Sequence, residues 1–495
     1  MPDSHWTRRD FLQGLAVGSL AASLPTLGCR PGATGSGRPN LLLLFTDDQR
    51  FDTIRALGNP HILTPHMDSL VRSGTSFSRA YIMGSHSGAV CMPSRAMLLT
   101  GRSLFRLQDR GGVIPEDHVM LPELFRNVGY VTYGTGKWHN GRPAFARCFS
   151  AGADIFFGGM SDHWNVPVYD FDPEGTYAAR TPAIAAPASS NQIQYRGYHH
   201  IVDGKHSSEL FSDAAVSFLD AYKGGSPFLL YVSYTAPHDP RTMPQPYLDM
   251  YDPDSIPLPD NFLPQHPFDN GELKVRDELL AGSPRTGAEV RRHIAEYYAC
   301  ITHLDAQIGR VLEALKRSGQ YENTIIVFMG DNGLALGQHG LMGKQSLYEH
   351  SVHVPLILCG PGIPADARQE ALCYLNDVFP TLCNLTGLES PGNIWGQSLE
   401  PVLRAREVSG RDALFFTYKN FQRALREDRW KLILYNVDGR KTTQLFDLDT
   451  DPWERHNLAQ RPEHAERAAA LTRRLQALMR EAGDPADLNR PDWIS

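Results

Sequence analysis

Asn40-Leu41-Leu42-Leu43-Leu44-Phe45-Thr46-Asp47-Asp48 is the stretch that decides the fold. A short unbroken apolar run that ends in charge reads as a strand buried on both faces, the kind found in parallel sheets. Tyr130 to Tyr133, Pro227 to Tyr234, Thr324 to Met329 and Val354 to Leu358 have the same character. Helical patterns lie between these runs, most clearly Gly287 to Ser318 and Asp377 to Leu385. The alternation predicts an α/β fold, a large and mostly parallel mixed sheet sandwiched by helices.

The character changes from about residue 406. Leu414 to Tyr418, Trp430 to Tyr435 and Gln444 to Leu448 read as short antiparallel strands, and Asp438-Gly439 is a turn signal between two of them. A charged amphipathic helix follows over Pro462 to Ala482. The expected organisation is a leader and tether over 1–37, a catalytic domain over 38–405, and a smaller α+β subdomain over 406–495 with an antiparallel sheet and a helix. The stretch Asp154 to Gly204, rich in aromatic, Gly, Pro and Ala residues, is expected to form long surface loops near a substrate.

Chemistry-bearing residues follow the apolar runs directly. Asp47-Asp48, Lys137-Trp138-His139, Pro237-His238 and Gly330-Asp331-Asn332 each come just after a strand-like segment. In open α/β sheets ligands bind beyond the carboxyl ends of the strands, so these segments are expected to converge. Loop polarity alone accounts for polar residues there. It does not account for Asp-Asp, Lys-x-His and Asp-Asn together.

The net charge of −7 argues against nonspecific nucleic-acid binding and requires any anion site to be a local cluster of cations. No internal apolar run is long enough to span a membrane. Thr7-Arg8-Arg9-Asp10-Phe11-Leu12-Gln13, followed by an apolar run from Leu15 to Leu24, resembles a twin-arginine export signal. It implies the twin-arginine translocase as a partner and an exported, periplasmic or lipid-anchored bacterial location. Thr26-Leu27-Gly28-Cys29 loosely resembles a lipoprotein box but departs from it at Thr26, which leaves lipidation of Cys29 open. Pro31 to Gly37 reads as a flexible tether. The other cysteines are Cys91, Cys148, Cys300, Cys359, Cys373 and Cys383, with no C-x-x-C pair and hence no zinc or redox motif. Cys373 and Cys383 are the nearest candidates for a disulfide; buried free thiols fit equally well.

Residues 91 to 102 read Cys-Met-Pro-Ser-Arg-Ala-Met-Leu-Leu-Thr-Gly-Arg. An isolated cysteine is usually an inert buried hydrophobe. Here Pro93 suits the first turn of a helix and the residues after it favour helix. Cys91 is thus expected at a helix N-terminus, where backbone N–H groups attract anions, with Arg95 one turn along the same face.

The string resembles the C-x-P-S-R…T-G-R signature of type I sulfatases, members of the alkaline-phosphatase-like superfamily. The resemblance extends over residues 38 to 460. It includes Thr46-Asp47-Asp48-Gln49, Gly134-Thr135-Gly136-Lys137-Trp138-His139, Gly330-Asp331-Asn332-Gly333, Lys344, Tyr348-Glu349 and the ending from Leu445-Phe446-Asp447 to Asn457-Leu458. It implies a sulfuric ester hydrolase that acts on a sulfated carbohydrate or an aryl sulfate. It also implies that Cys91 is oxidised to formylglycine by a formylglycine-generating enzyme or its anaerobic equivalent. Export in the folded state would place that step before translocation.

The same resemblance implies a Ca²⁺ held by Asp47, Asp48, Asp331 and Asn332, in contact with the group at position 91. These are hard oxygen donors, which suit calcium and serve zinc or copper poorly. Arg95, Lys137 and Lys344 are the implied cations at formylglycine and sulfate. His238, with Lys344, is the implied acid toward the leaving alcohol. His139 is the implied base that frees sulfate, a role that suits a side chain titrating near neutrality. His86, His339 and His350 are weaker candidates for substrate contact, and His163-Trp164 and His199-His200 are candidates for shaping the substrate site.

Two rival readings follow. Phosphonate monoester or phosphodiester hydrolases of the same superfamily share the nucleophile motif but usually carry Asp-His where this chain has Asp331-Asn332, which favours the sulfatase. A silent glycan-binding protein is the other, and it holds only if Cys91 is never converted.

Overall fold

The computed structural model describes residues 37–184, 192–404 and 410–493. The twin-arginine motif, the apolar run after it and Cys29 lie outside the described residues. Among the described residues no helix is long and apolar enough to cross a membrane.

Eight strands form the central sheet: β1 (Asn40–Thr46), β2 (Gly74–Phe77), β3 (Val131–Lys137), β4 (Ala151–Phe156), β5 (Phe228–Ser233), β6 (Thr324–Gly330), β7 (Leu356–Cys359) and β8 (Ala367–Gln369). Their spatial order is β8-β2-β7-β6-β1-β5-β3-β4. β1 lies in the middle, parallel to β6 and to β5. Only β7 runs against its neighbours, β6 and β2. The sheet is therefore mostly parallel and mixed, as the apolar runs predict.

β1 is buried along its whole length because helices cover both faces. Leu41, Leu43 and Phe45 join one core, with Ala96 to Leu99 of helix α1 (Cys91–Thr100). Leu42 and Leu44 join the other, with helices α2 (Ser207–Ala221) and α3 (Gly287–Arg317). Each fully buried leucine contributes about 1.5–3 kcal/mol, so the alternation of side chains along one strand ties two helical layers to a single sheet. α3 coincides with the expected long helix. The Asp377–Leu385 pattern forms a short 3₁₀ turn and then a helix, Val378–Leu385.

The expected loop region 154–204 holds more structure than its sequence announces. It begins inside β4 and contains an antiparallel pair, Thr181–Ile184 with Ile193–Arg196. Ile193 and Tyr195 are 63% and 64% exposed. A ribbon with apolar residues on its solvent side carries no alternating pattern to read.

After residue 410 come β9 (Ala413–Tyr418), β10 (Gln422–Glu427), β11 (Trp430–Val437) and β12 (Arg440–Asp447), an antiparallel meander. Asp438 and Gly439, at φ 49° and 78°, make the two-residue turn between β11 and β12. Helix α4 (Ala465–Ala482) packs Leu471, Leu475 and Met479 onto Phe415, Leu425 and Leu432. β10 has no counterpart among the expected strands, because Gln-Arg-Ala-Leu-Arg-Glu reads as polar. Its arginines are buried against partners distant in sequence: Arg423 on Asp484 and Arg426 on Glu349. Gly84–Ser85 adds a fifth, parallel strand beside β9, so the two sheets are stitched together just before Cys91.

Among the described residues the six cysteines are all free and buried. Cys373 and Cys383 form no disulfide.

Candidate active site

The parallel register of β1 and β6 pairs Thr46 with Gly330, so Asp47-Asp48 and Asp331-Asn332 leave the sheet side by side. Asp48 turns back with φ 64°, and its N–H donates to Asp331 Oδ1 at 3.0 Å. Tyr297 on α3 fixes this turn by donating its hydroxyl to the Asp48 carbonyl at 2.6 Å. Lys137 is the last residue of β3, and Ser233 the last of β5. A bulge at Thr135/Gly136 aims Lys137 inward; Gly136 has φ 89°, and a Cβ there would lie 1.9 Å from the Ser233 carbonyl oxygen. The ends of four parallel strands thus meet the start of α1, whose first residue is Cys91.

Cys91 Sγ lies 3.5 Å from Lys137 Nζ and 3.5 Å from His139 Nδ1. Lys137 Nζ also forms an ion pair with Asp47. Arg95, fully buried one helical turn on, donates from Nε to Asp331 Oδ2 at 2.9 Å and from a terminal nitrogen to Ser233 Oγ. Lys344 Nζ donates to Asp48 Oδ1 at 2.6 Å, and Asn332 Nδ2 donates to the same oxygen at 2.7 Å. His238 Nε2 stands 3.7 Å from Asp48 Oδ2, while its Nδ1 donates to the Asp239 carbonyl at 2.8 Å. The ten residues implied as nucleophile, metal ligands, cations and acid–base groups (Asp47, Asp48, Cys91, Arg95, Lys137, His139, His238, Asp331, Asn332 and Lys344) belong to this one connected cluster.

The electrostatics follow from burial among mixed charges. Burial alone would raise Asp47, but Lys137, His238, Arg95 and Lys344 hold it far below the usual carboxylate range. Asp331 is pushed up to about 7 by burial and by Asp47, against the pull of Arg95 and Lys137. Burial would lower Lys344, yet Asp48 keeps it well above the ordinary lysine value. His139 falls to about 3 through burial and then Lys137 and Arg95, so it is neutral at pH 7. Burial pushes the Cys91 thiol up although Lys137 and Lys344 oppose it. A protonated, buried thiol is a poor nucleophile.

The donor set fits a hard cation. Asp47 Oδ1 and Asn332 Oδ1 are buried without a hydrogen-bond partner. Unpaired buried oxygens are costly unless something electropositive meets them. Donor atoms of Asp47, Cys91 and Asp331 lie within 4.8 Å of one another, as do those of Asp47, Asp48 and His238. Asp47, Asp48, Asp331 and Asn332 are the residues that would hold Ca²⁺.

Around this cluster lie the secondary histidine candidates, together with Arg276, Asp277 and Gln345, which carry no sequence signal of their own. His163 is buried; its Nε2 donates to the His238 carbonyl at 3.0 Å and its Nδ1 meets Ser207 Oγ at 2.7 Å. It positions the His238 loop and does not shape a substrate surface. Arg276 pairs with Asp239 and Asp277, and Gln345 donates to Asp277 Oδ2 at 2.7 Å, which joins the surroundings of His238 to those of Lys344. His339 and His350 are buried beside Tyr348, with His339 stacked on that ring at 3.9 Å. His199 and His200 are tied to the Asp170 and Asp154 region at the surface.

The sulfatase family model matches residues 39–388, and the model described as N-sulphoglucosamine sulphohydrolase, C-terminal, matches residues 337–481. An N-acetylglucosamine-6-O-sulfatase of Bacteroides thetaiotaomicron is 25% identical over 95% of this chain and 91% of its own. The solved structure of a protein in complex with its substrate D-glucosamine-2-N,6-O-disulfate superposes with a TM-score of 0.74 at 24% identity, over 92% of this chain and 99% of the other. A phosphonate monoester hydrolase of Agrobacterium radiobacter shares the fold with a TM-score of 0.68 at 23% identity, over 92% of this chain and 99% of the other. With a matching family model over most of its length and this fold, the chain belongs to the sulfatase family of the alkaline-phosphatase-like superfamily and is a sulfatase.

Proposed function

We propose that this sulfatase hydrolyses sulfate monoesters of a saccharide, with formylglycine made from Cys91 and with calcium held by Asp47, Asp48, Asp331 and Asn332. The observation that carries the reading is the placement of Cys91 Sγ, 3.5 Å from both Lys137 Nζ and His139 Nδ1, beside a carboxylate cluster with unpaired oxygens. Arg95, Lys137 and Lys344 balance the charge of Asp47, Asp48 and Asp331, so a bound divalent cation leaves the site positive and suited to an anionic ester. Formylglycine would supply, as its hydrate, an oxygen nucleophile together with a route back to the aldehyde that serine lacks. Calcium would supply Lewis acidity toward a sulfate oxygen.

The chain's own residues then divide the remaining work. Lys137 and Lys344 offset charge on the sulfuryl oxygens from fixed, buried positions that need no reorganisation. His238 and Lys344 lie on the Asp48 side, where the leaving alcohol takes up a proton. His139, neutral and 3.5 Å from Cys91 Sγ, takes the proton whose removal frees sulfate. Asn332 stands where the superfamily's phosphorus-ester hydrolases usually have histidine, which supports sulfate over phosphonate. Saccharide-directed relatives support the substrate class. Arg8-Arg9 supports twin-arginine export of the matured protein to the periplasm, with Cys29 as the site of any lipid anchor.

Mass spectrometry of the tryptic peptide Ala80–Arg95 from the native host tests the nucleophile. We expect the aldehyde; an intact alkylatable thiol in active enzyme overturns the reading. Turnover of an aryl sulfate at a kcat/KM well above that of a phosphodiester is expected, and the reverse order assigns the site to phosphorus esters.

A further inference from the structure

A cleft of about 810 Å³ opens beside α1, lined by His86, Phe105, Arg110, Lys419, Phe421 and Pro485 among others. Its walls come from both parts of the chain, and two of them adjoin the segment that carries the nucleophile. His86 precedes Cys91 by five residues, and the stretch between them is half-buried to exposed apart from Val90. Lys419 forms the tip of the β9–β10 hairpin; its N–H donates to the Ser85 carbonyl at 2.7 Å, which holds the tip against the strand leading to Cys91. On the other side, the turn Asp109–Gly111 packs flush on the first turns of α1. A Cβ at Gly111 would lie 2.9 Å from Ala96 Cβ and 3.0 Å from Pro93 Cα. Asn140, next to His139, clamps the two together by donating to the carbonyls of Met92 (2.9 Å) and Gly111 (2.6 Å).

Two cations in this cleft sit in a costly backbone conformation. Arg110 has φ 54° and Lys419 has φ 43°. For residues other than Gly, Asn and Asp the left-handed region costs about 1–3 kcal/mol, and such strain clusters at ligand sites. Arg110 is exposed and has no ion pair among the described residues. Lys419 pairs with the buried Glu272, which also accepts from Tyr418 at 2.9 Å, so its ammonium is held on the cleft wall by a preset partner. Phe421 packs over Gly271, where a Cβ would come within 2.5 Å of the ring. Phe105 and Phe421 supply apolar walls of the kind that meet the C–H face of a sugar.

We propose that this cleft binds the part of the substrate beyond the scissile ester, a saccharide that carries a second anionic group, with Arg110 and Lys419 as the cations that select for it. This rests on the sulfatase reading above and narrows its substrate to polyanionic saccharides.

The test uses the full chain in a Cys91→Ala background, so that binding is read without turnover. A disulfated disaccharide and the corresponding monosulfated disaccharide are titrated by calorimetry. Asparagine tolerates positive φ, so Arg110→Asn and Lys419→Asn remove charge and preserve the turns. We expect at least tenfold tighter binding of the disulfated probe by the parent protein, and about a tenfold loss of that preference in each variant. Equal affinity for the two probes in the parent, or an unchanged preference in both variants, overturns the assignment. Aryl sulfate turnover by the native enzyme is measured alongside: its absence defeats the sulfate-ester reading, whereas its presence with unchanged preference defeats only the cleft.

Discussion

Asn332 donates from Nδ2 to Asp48 Oδ1 at 2.7 Å, and this bond turns Asn332 Oδ1 inward, buried and without a partner. The amide thus serves two ends. It pays a hydrogen bond to the carboxylate beside it and presents a neutral oxygen where a cation would sit. Ionised aspartate would offer a charged oxygen and no donor, and histidine would present nitrogen.

Removal of the proposed calcium follows from that relationship. Dialysis against a chelator is expected to abolish turnover and lower the melting temperature, and added Ca²⁺ to restore both. At a hundredfold excess over Kd the ion contributes about 2.7 kcal/mol. Asn332→Ala should shift the calcium dependence of the melting temperature by at least about tenfold in concentration. Scanning calorimetry across a calcium titration reads this; identical curves for the two proteins would remove Asn332 from the ligand set.

Arg95 holds Asp331 and Ser233 at once, with no exposure of its own. Arg95→Leu leaves Asp331 buried beside Asp47 without its main partner, at a cost of roughly 3–5 kcal/mol. Urea denaturation measures it. Arg95→Lys keeps the charge but lacks the planar fork, and kcat is expected to drop about 100-fold with a smaller loss of stability.

His206 gives a pH dependence with a definite sign. Its Nδ1 accepts from Ser208 N–H at 3.1 Å, capping α2, and its Nε2 donates to the Thr242 carbonyl at 2.9 Å. Both bonds need the neutral ring. Burial, then His163 and His303, lower it to about 2. The unfolded chain takes up this proton near pH 6.5 and the folded one does not, so stability falls as pH drops below 6.5. At pH 5 this residue accounts for about 2 kcal/mol of the loss. His206→Asn keeps a cap and removes the titration, so the difference in unfolding free energy between pH 7.5 and 5 should shrink by that amount. An unchanged difference would mean that His206 is protonated in the native state.

Lys431 welds the C-terminal sheet to the catalytic layer. Its buried amine lies 2.8 Å from both Glu349 Oε1 and Glu454 Oε1. Lys431→Met leaves two buried carboxyls facing each other and should destabilise by about 3–5 kcal/mol. Paired replacement of Lys431 by Met and Glu454 by Gln should recover part of that loss, as equilibrium unfolding would show.

The legibility of the molecule varied with how local its causes are. β1, β6 and α3 could be read from their residues, because a strand buried on both faces must be apolar throughout and a long helix must repeat its apolar positions. β10 could not, since Arg423 and Arg426 are tolerable in a buried strand only through Asp484 and Glu349. The pair Thr181–Ile184 with Ile193–Arg196 was hidden for the opposite reason, since Ile193 and Tyr195 face solvent and impose no burial pattern.

The site divides along the same line. The residue types Asp47-Asp48, Cys91, Arg95, Lys137-His139, His238, Asp331-Asn332 and Lys344 were set out in the sequence, because the chemistry of an anionic ester and a hard cation restricts which side chains can serve. Which groups hold them was decided only by the fold. His163 beneath His238, Ser233 at Arg95, Tyr297 at Asp48, and Arg110 with Lys419 in the flanking cleft come from segments far apart in the chain. A hydrogen bond or ion pair leaves no periodic trace in sequence, so only the fold that brings those segments together could reveal them.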